Sequence, residues 1–132
     1  MTADDIEPSS RSSVIVVDED DMVLIAVGDV FAKHEFYVVE ATNAEDAIDV
    51  LNADAHNIEI LFADIHMHGD MNGIDLARYV QRNWPWIQII LTSGHTKPEI
   101  LPEGVDFIEK TCDFESVIPL LRRNDGEACH TA

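Results

Sequence analysis

Five short apolar runs punctuate this chain, and each stops abruptly on a polar residue: 14–17 before Asp18, 37–41 before Thr42, 58–63 before Asp64, 87–91 before Thr92 and 105–108 before Glu109 and Lys110. Short runs of four to six residues rich in apolar and β-branched side chains, with at most one polar residue each, are what strands buried on both faces require. The segments between them have a different period. Val23, Leu24, Val27, Val30 and Phe31 fall on one helical face within 22–35, with Gly28 as a tolerated weak point. Thr42 and Glu45 have capping-box spacing and open a second helix to about 53, with Ala44, Ala47, Ile48 and Leu51 inward. Ile74, Leu76, Ala77 and Val80 define a third helix over 73–83, closed by Asn83 and Pro85.

Between the fourth and fifth runs, Pro98 and Pro102 leave room for one helical turn or less. A last helix is expected over 114–123, limited by Pro119 or delayed to Ser116. This (βα)5 pattern, with right-handed crossovers, predicts an α/β fold: a doubly wound, five-stranded parallel sheet covered by helices on both faces.

Composition narrows the function classes. The 132 residues carry 26 Asp and Glu against 8 Lys and Arg, a formal charge of -18. Nucleic acid and anionic membranes both require clustered cations, so neither is an expected partner. No apolar run approaches the roughly 18 residues of a membrane span, and Asp4, Asp5 and Glu7 stand where a signal peptide would be basic and apolar. A soluble cytoplasmic protein is expected. Cys112 and Cys129 lack metal-ligand spacing and read as reduced thiols.

In open parallel sheets the ligand site lies beyond the carboxyl ends of the strands. Asp18 and Glu19, Asp64, Thr92 and Lys110 stand at four of those ends. Carboxylates brought together repel unless a cation lies among them, and an all-oxygen set with room for water suits Mg²⁺. A cation, an ammonium and a hydroxyl together share the charge of a phosphoryl group, which Asp64 would accept as an acyl phosphate.

Four fragments, VIVVDEDD at 14–21, LFADIHMHGDMNG at 61–73, LTSG at 91–94 and FIEK at 107–110, resemble the receiver domain of bacterial two-component response regulators. The resemblance implies a flavodoxin-like strand order of 2-1-3-4-5, and a receiver over 13–123 between flexible ends at 1–12 and 124–132. It implies Asp64 as phosphoacceptor, with Asp18, Glu19, Asp64 and the backbone carbonyl of His66 holding Mg²⁺, for which Mn²⁺ can substitute. Thr92 matches the switch hydroxyl, Lys110 the phosphate-binding lysine and Phe107 the aromatic that changes rotamer with Thr92. The implied donor is a histidine kinase or histidine phosphotransfer protein, and the implied output is contact with a downstream protein rather than turnover of an external substrate.

The sequence departs from the family pattern at Glu19, where Asp is common, and at His68 and Thr111, where Pro is usual. The loop to Gly73 is about one residue longer than the commonest form.

Blander roles suit several residues. Asp20 and Asp21 are expected to cap the first helix, His34, His56, His95 and His130 to lie on the surface, and Trp84 and Trp86 to plug the loop before the fourth strand. His66, His68 and Asp70 resemble part of the HxHxD zinc motif of metallo-hydrolases, but Met71 stands where the next His belongs. The same residues would also suit a docking module that is never phosphorylated, or a receiver excised from a hybrid kinase. A free-standing protein is expected from Met1 and the polar arm.

Overall fold

The computed structural model describes residues 12–94, 98–110 and 113–121. The elements are β1 (Ser13–Val17), α1 (Asp21–Lys33), β2 (Tyr37–Ala41), α2 (Ala44–Asp54), a one-turn 3-10 helix (Ala55–Asn57), β3 (Ile58–Asp64), α3 (Gly73–Asn83), β4 (Gln88–Ser93), β5 (Asp106–Glu109) and a terminal 3-10 helix (Phe114–Leu120). The five strands form one parallel sheet in the order β2-β1-β3-β4-β5. That is the expected class and order.

Alternation along each strand divides the core into two layers. Ile15 and Val17 of β1, Leu61 and Ala63 of β3, and Ile89 and Leu91 of β4 pack under α2 and α3 with Leu51, Leu76 and Val80. Val14, Val16, Ile60, Phe62 and Ile90 face the other way, against Leu24, Val27 and Phe31 of α1 and Val117 of the terminal helix. Phe62 stacks edge-on between Phe31 and Phe114, with ring centroids 6.2 Å from each. β1, β3 and β4 are buried across both faces, whereas β2 is an edge strand with Tyr37 exposed. Two covered layers hold the strand ends fixed, which is what a multi-strand site needs.

Helix starts follow local chemistry. Asp20 caps α1 by accepting the Met22 N–H at 2.9 Å, as expected. The cap of α2 lies one residue later than expected: Asn43, not Thr42, accepts the Asp46 N–H at 2.8 Å. Asn and Thr are both favoured N-cap residues, so the adjacent Thr42 and Asn43 compete for the cap. α3 opens with a full reciprocal box between Asn72 and Asp75.

The terminal segment differs from the expected α-helix. It is a 3-10 helix that contains Pro119 and ends at Leu120, because proline has no N–H to give an interior turn and its ring crowds the carbonyl four residues back. Residues 98–105 contain no helix, in keeping with the two prolines there. Trp84 packs against the α3-side core, while Trp86 is 57 % exposed and donates its indole N–H to Ala55 O at 3.4 Å, so only Trp84 plugs the loop. The expectations for residues 1–11 and 124–132 and for His95, His130, Thr111, Cys112 and Cys129 lie outside the described residues. Among the described residues no helix is long and apolar enough to cross a membrane.

Candidate functional site

Three strand ends and one loop lysine converge at the carboxyl edge of the sheet. Asp18 follows β1 directly; its N–H donates to Ala41 O at 3.1 Å, and its Oδ1 accepts the Asp20 N–H at 2.9 Å, which fixes the carboxylate at the mouth of α1. Asp64 ends β3, and its Oδ1 accepts the N–H of His66, two residues on, at 3.2 Å. Thr92 pairs with Asp64 across the β3–β4 ladder, and its carbonyl accepts the Ile65 N–H at 2.9 Å. The Lys110 N–H donates to Ser93 O at 2.9 Å, so the lysine backbone extends the β4–β5 ladder.

The Lys110 ammonium sits between the two acids, 3.1 Å from Asp18 Oδ2 and 3.1 Å from Asp64 Oδ2. Asp18, Asp64 and Thr92 are all buried. Among the described residues two buried polar side-chain atoms lack a hydrogen bond, Asp18 Oδ2 and Thr92 Oγ1; the former has only its ion pair with Lys110. Buried hydroxyls are normally satisfied, so Thr92 Oγ1 has capacity for a further polar group.

Charge is strained here in a defined way. Burial raises the Asp18 carboxyl above its ordinary value, and the Asp64 charge adds to this, against the opposing pull of the Asp20 N–H and the Lys110 ammonium. Burial pulls the Lys110 ammonium down, but its bonds to Asp64 and Asp18 prevail and hold it above the usual lysine range. A carboxyl whose folded value is raised costs nothing when protonated in both states and opposes folding as pH rises through the folded value. Asp18→Asn keeps the acceptor for the Asp20 N–H and removes that cost. The variant also loses the Lys110 ion pair at Oδ2, so the expected signature is a pH dependence: its stability relative to wild type should rise as pH climbs above the ordinary aspartate value of 3.8. Urea unfolding at a series of pH values measures it, and a difference that does not change with pH would contradict the account.

Not every expected site residue is gathered here. Glu19 is turned toward the β3–α3 loop, where its carboxylate accepts the His68 N–H at 2.6 Å and faces His68 Nδ1 at 2.8 Å. His66, expected to act through its backbone carbonyl, exposes its side chain in the same loop while its N–H stays on Asp64 Oδ1. Phe107 is half-buried on β5, beside Leu91 in the α3-side core layer. Among the described residues no three His, Cys, Asp or Glu side chains are grouped to hold a metal; Asp18 and Asp64 are the side chains that face one point. Both carboxylates offer only oxygens, the donor type a hard cation such as Mg²⁺ takes, and the Lys110 ammonium stands at the point they share, 3.1 Å from Oδ2 of each.

One residue of the site was singled out by no chemistry in the sequence. Gly73, the first residue of α3, donates its N–H to Ile65 O at 2.9 Å, and a Cβ there would lie 2.7 Å from Ile65 Cα and against the Asp64 carbonyl. Its only signal was a glycine at the junction of an acidic loop and a helical pattern.

A family model for the response regulator receiver domain matches residues 14–122. A cyclic di-GMP phosphodiesterase of Thermotoga maritima is 26 % identical over 108 residues, 78 % of this chain and 28 % of that protein. The transcriptional regulatory protein RcsB of Escherichia coli K12 is 29 % identical over 115 residues, 83 % of this chain and 49 % of RcsB. The chain thus spans half or less of these relatives. Among solved structures, a CheY-like receiver domain protein of Methanospirillum hungatei superposes with a TM-score of 0.76 at 18 % identity, covering 92 % of this chain and 99 % of that one. CheY in the CheX-CheY-BeF3-Mg²⁺ complex of Borrelia burgdorferi gives 0.73 at 23 % identity, covering 81 % and 84 %.

Proposed function

Because the chain belongs to the response regulator receiver family, the receiver domains of bacterial two-component systems, we propose that it accepts a phosphoryl group on Asp64 from a histidine kinase or histidine phosphotransfer protein and signals by protein contact. The observation that carries the reading is the Lys110 ammonium held 3.1 Å from both Asp18 and Asp64, beside a buried Thr92 hydroxyl with no hydrogen-bond partner.

Each residue has a role that its position supports. Asp64 is the nucleophile: an Oδ atom attacks the phosphorus of the donor, the new O–P bond forms as the donor's N–P bond breaks, and the imidazole leaves with the bonding electrons and takes up a proton. The His66 N–H on Oδ1 orients the carboxylate for that attack. Lys110, already bound to Oδ2, is placed to follow the charge onto the phosphoryl oxygens, and Thr92 Oγ1 has a free hydrogen to donate to one of them. Asp18, Glu19, Asp64 and the backbone carbonyl of His66 would hold Mg²⁺, or Mn²⁺ in its place, which would supply charge neutralisation for the transferred group.

The output is read as a switch: Thr92 moving toward a phosphoryl group would let Phe107 change rotamer on β5 and so reshape the docking surface beside it. The reading places the chain in the cytoplasm, where kinase and receiver meet.

Incubating the protein with Mg²⁺ and acetyl phosphate, then measuring intact mass, tests the proposal. One phosphate adduct, released by hydroxylamine as an acyl phosphate should be, is the expected result. No adduct under conditions that phosphorylate a known receiver overturns it.

A further inference from the structure

Glu19 and His68, 49 residues apart in sequence, make a contact that the phosphoacceptor reading does not use. The Glu19 carboxylate takes two bonds from one residue, the His68 N–H at 2.6 Å on Oε2 and the ring Nδ1 at 2.8 Å on Oε1. A carboxylate offers no hydrogen, so Nδ1 carries it, which the neutral ring does in one of its two tautomers. The His68 side chain is 96 % exposed, and no packing orients it; the Glu19 carboxylate does.

Glu19 follows Asp18 directly, and Asp18 faces Asp64 across the Lys110 ammonium. Both Glu19 oxygens are nevertheless committed to the β3–α3 loop. We propose that His68 is a positioning residue that holds Glu19 away from the cation site, so that a divalent cation bound at Asp18 and Asp64 recruits Glu19 only by releasing His68 and its loop. The inference rests on the reading of Asp18 and Asp64 as a cation site and adds to it a competition between loop and cation for one carboxylate. The competition couples cation binding to the segment that joins Asp64 to α3.

Calorimetric titration of the full chain with Mg²⁺ tests this. His68→Ala removes the ring bond, so its Kd should be tighter than wild type by about two- to tenfold, the range of one modest hydrogen bond in an exposed setting. His68→Asn returns an N–H donor near the place of Nδ1 and should restore the wild-type Kd. In a Glu19→Gln background, His68→Ala should no longer tighten binding. Hydrogen exchange at the His68 amide supplies a readout independent of affinity: it should be slow without the cation and accelerate when Mg²⁺ saturates the protein. A residue that merely shaped the loop would weaken binding when lost. Mg²⁺ binding that His68→Ala leaves unchanged or weakens, or His68 amide exchange that Mg²⁺ does not accelerate, overturns the inference while leaving the phosphoacceptor reading intact. No Mg²⁺ binding by the wild type overturns both the inference and the cation site beneath it.

Discussion

Asp64→Asn should yield no phosphate adduct with acetyl phosphate and Mg²⁺ under conditions in which the wild type is modified. The amide has the same shape, and its oxygen can still accept the His66 N–H that Asp64 Oδ1 now accepts at 3.2 Å, so the loop geometry should survive. What is lost is the negative charge that makes the oxygen a nucleophile. Lys110 loses one of its two anionic partners and keeps the other, Asp18 at 3.1 Å. Asp18, still present in the variant, is more deeply buried than Asp64 and so less accessible to a donor. Circular dichroism should show the variant folded, which ties the missing adduct to chemistry and not to unfolding. An adduct on Asp64→Asn at the wild-type rate would place the acceptor elsewhere.

Gly73→Ala should damage the site from behind. The added Cβ would meet the Asp64 carbonyl and lie 2.7 Å from Ile65 Cα, both of them backbone atoms that cannot rotate aside. The start of α3 must therefore move off β3, which strains the Gly73 N–H bond to Ile65 O and the Asn72–Asp75 cap beside it. Overpacking against backbone costs about 3 kcal/mol. A displacement on the order of 1 Å at the residue carrying the nucleophile should slow phosphorylation about 10²-fold. Thermal unfolding and the rate of adduct formation measure the two effects. Wild-type stability together with wild-type rate would show that α3 does not brace Asp64.

Stability and activity pull apart at Asp18. It is buried, raised in pKa and close to a second carboxylate, so it opposes folding at neutral pH, yet the proposed cation site depends on its oxygen. Such an arrangement is expected where a binding site, rather than the core, selects the residue.

Much of this was legible without coordinates, and the reason is periodicity. A Val-Ile-Val-Val run that ends on Asp18 has one economical reading, a buried strand with an acid at its end, and the helical faces of α1, α2 and α3 follow from apolar spacing alone. These patterns report which side of an element meets the core, a property decided residue by residue along the chain. Once five strands must lie parallel, Asp18, Asp64, Thr92 and Lys110 are brought to one edge by topology. The terminal 3-10 helix and the Asn43 cap were less legible, because adjacent residues offered competing local solutions of similar energy.

The sequence by itself therefore determined the fold class, the strand ends and the residue types assembled there. Only the tertiary structure decided that Lys110 bridges Asp18 and Asp64, that Glu19 turns to His68, and that Gly73 lies against the Asp64 backbone. Those outcomes depend on which long side chain finds which partner across tens of residues, at distances where fractions of an ångström separate a hydrogen bond from none. No pattern along a chain encodes that choice. It is made when the packed layers set the strand ends a fixed distance apart.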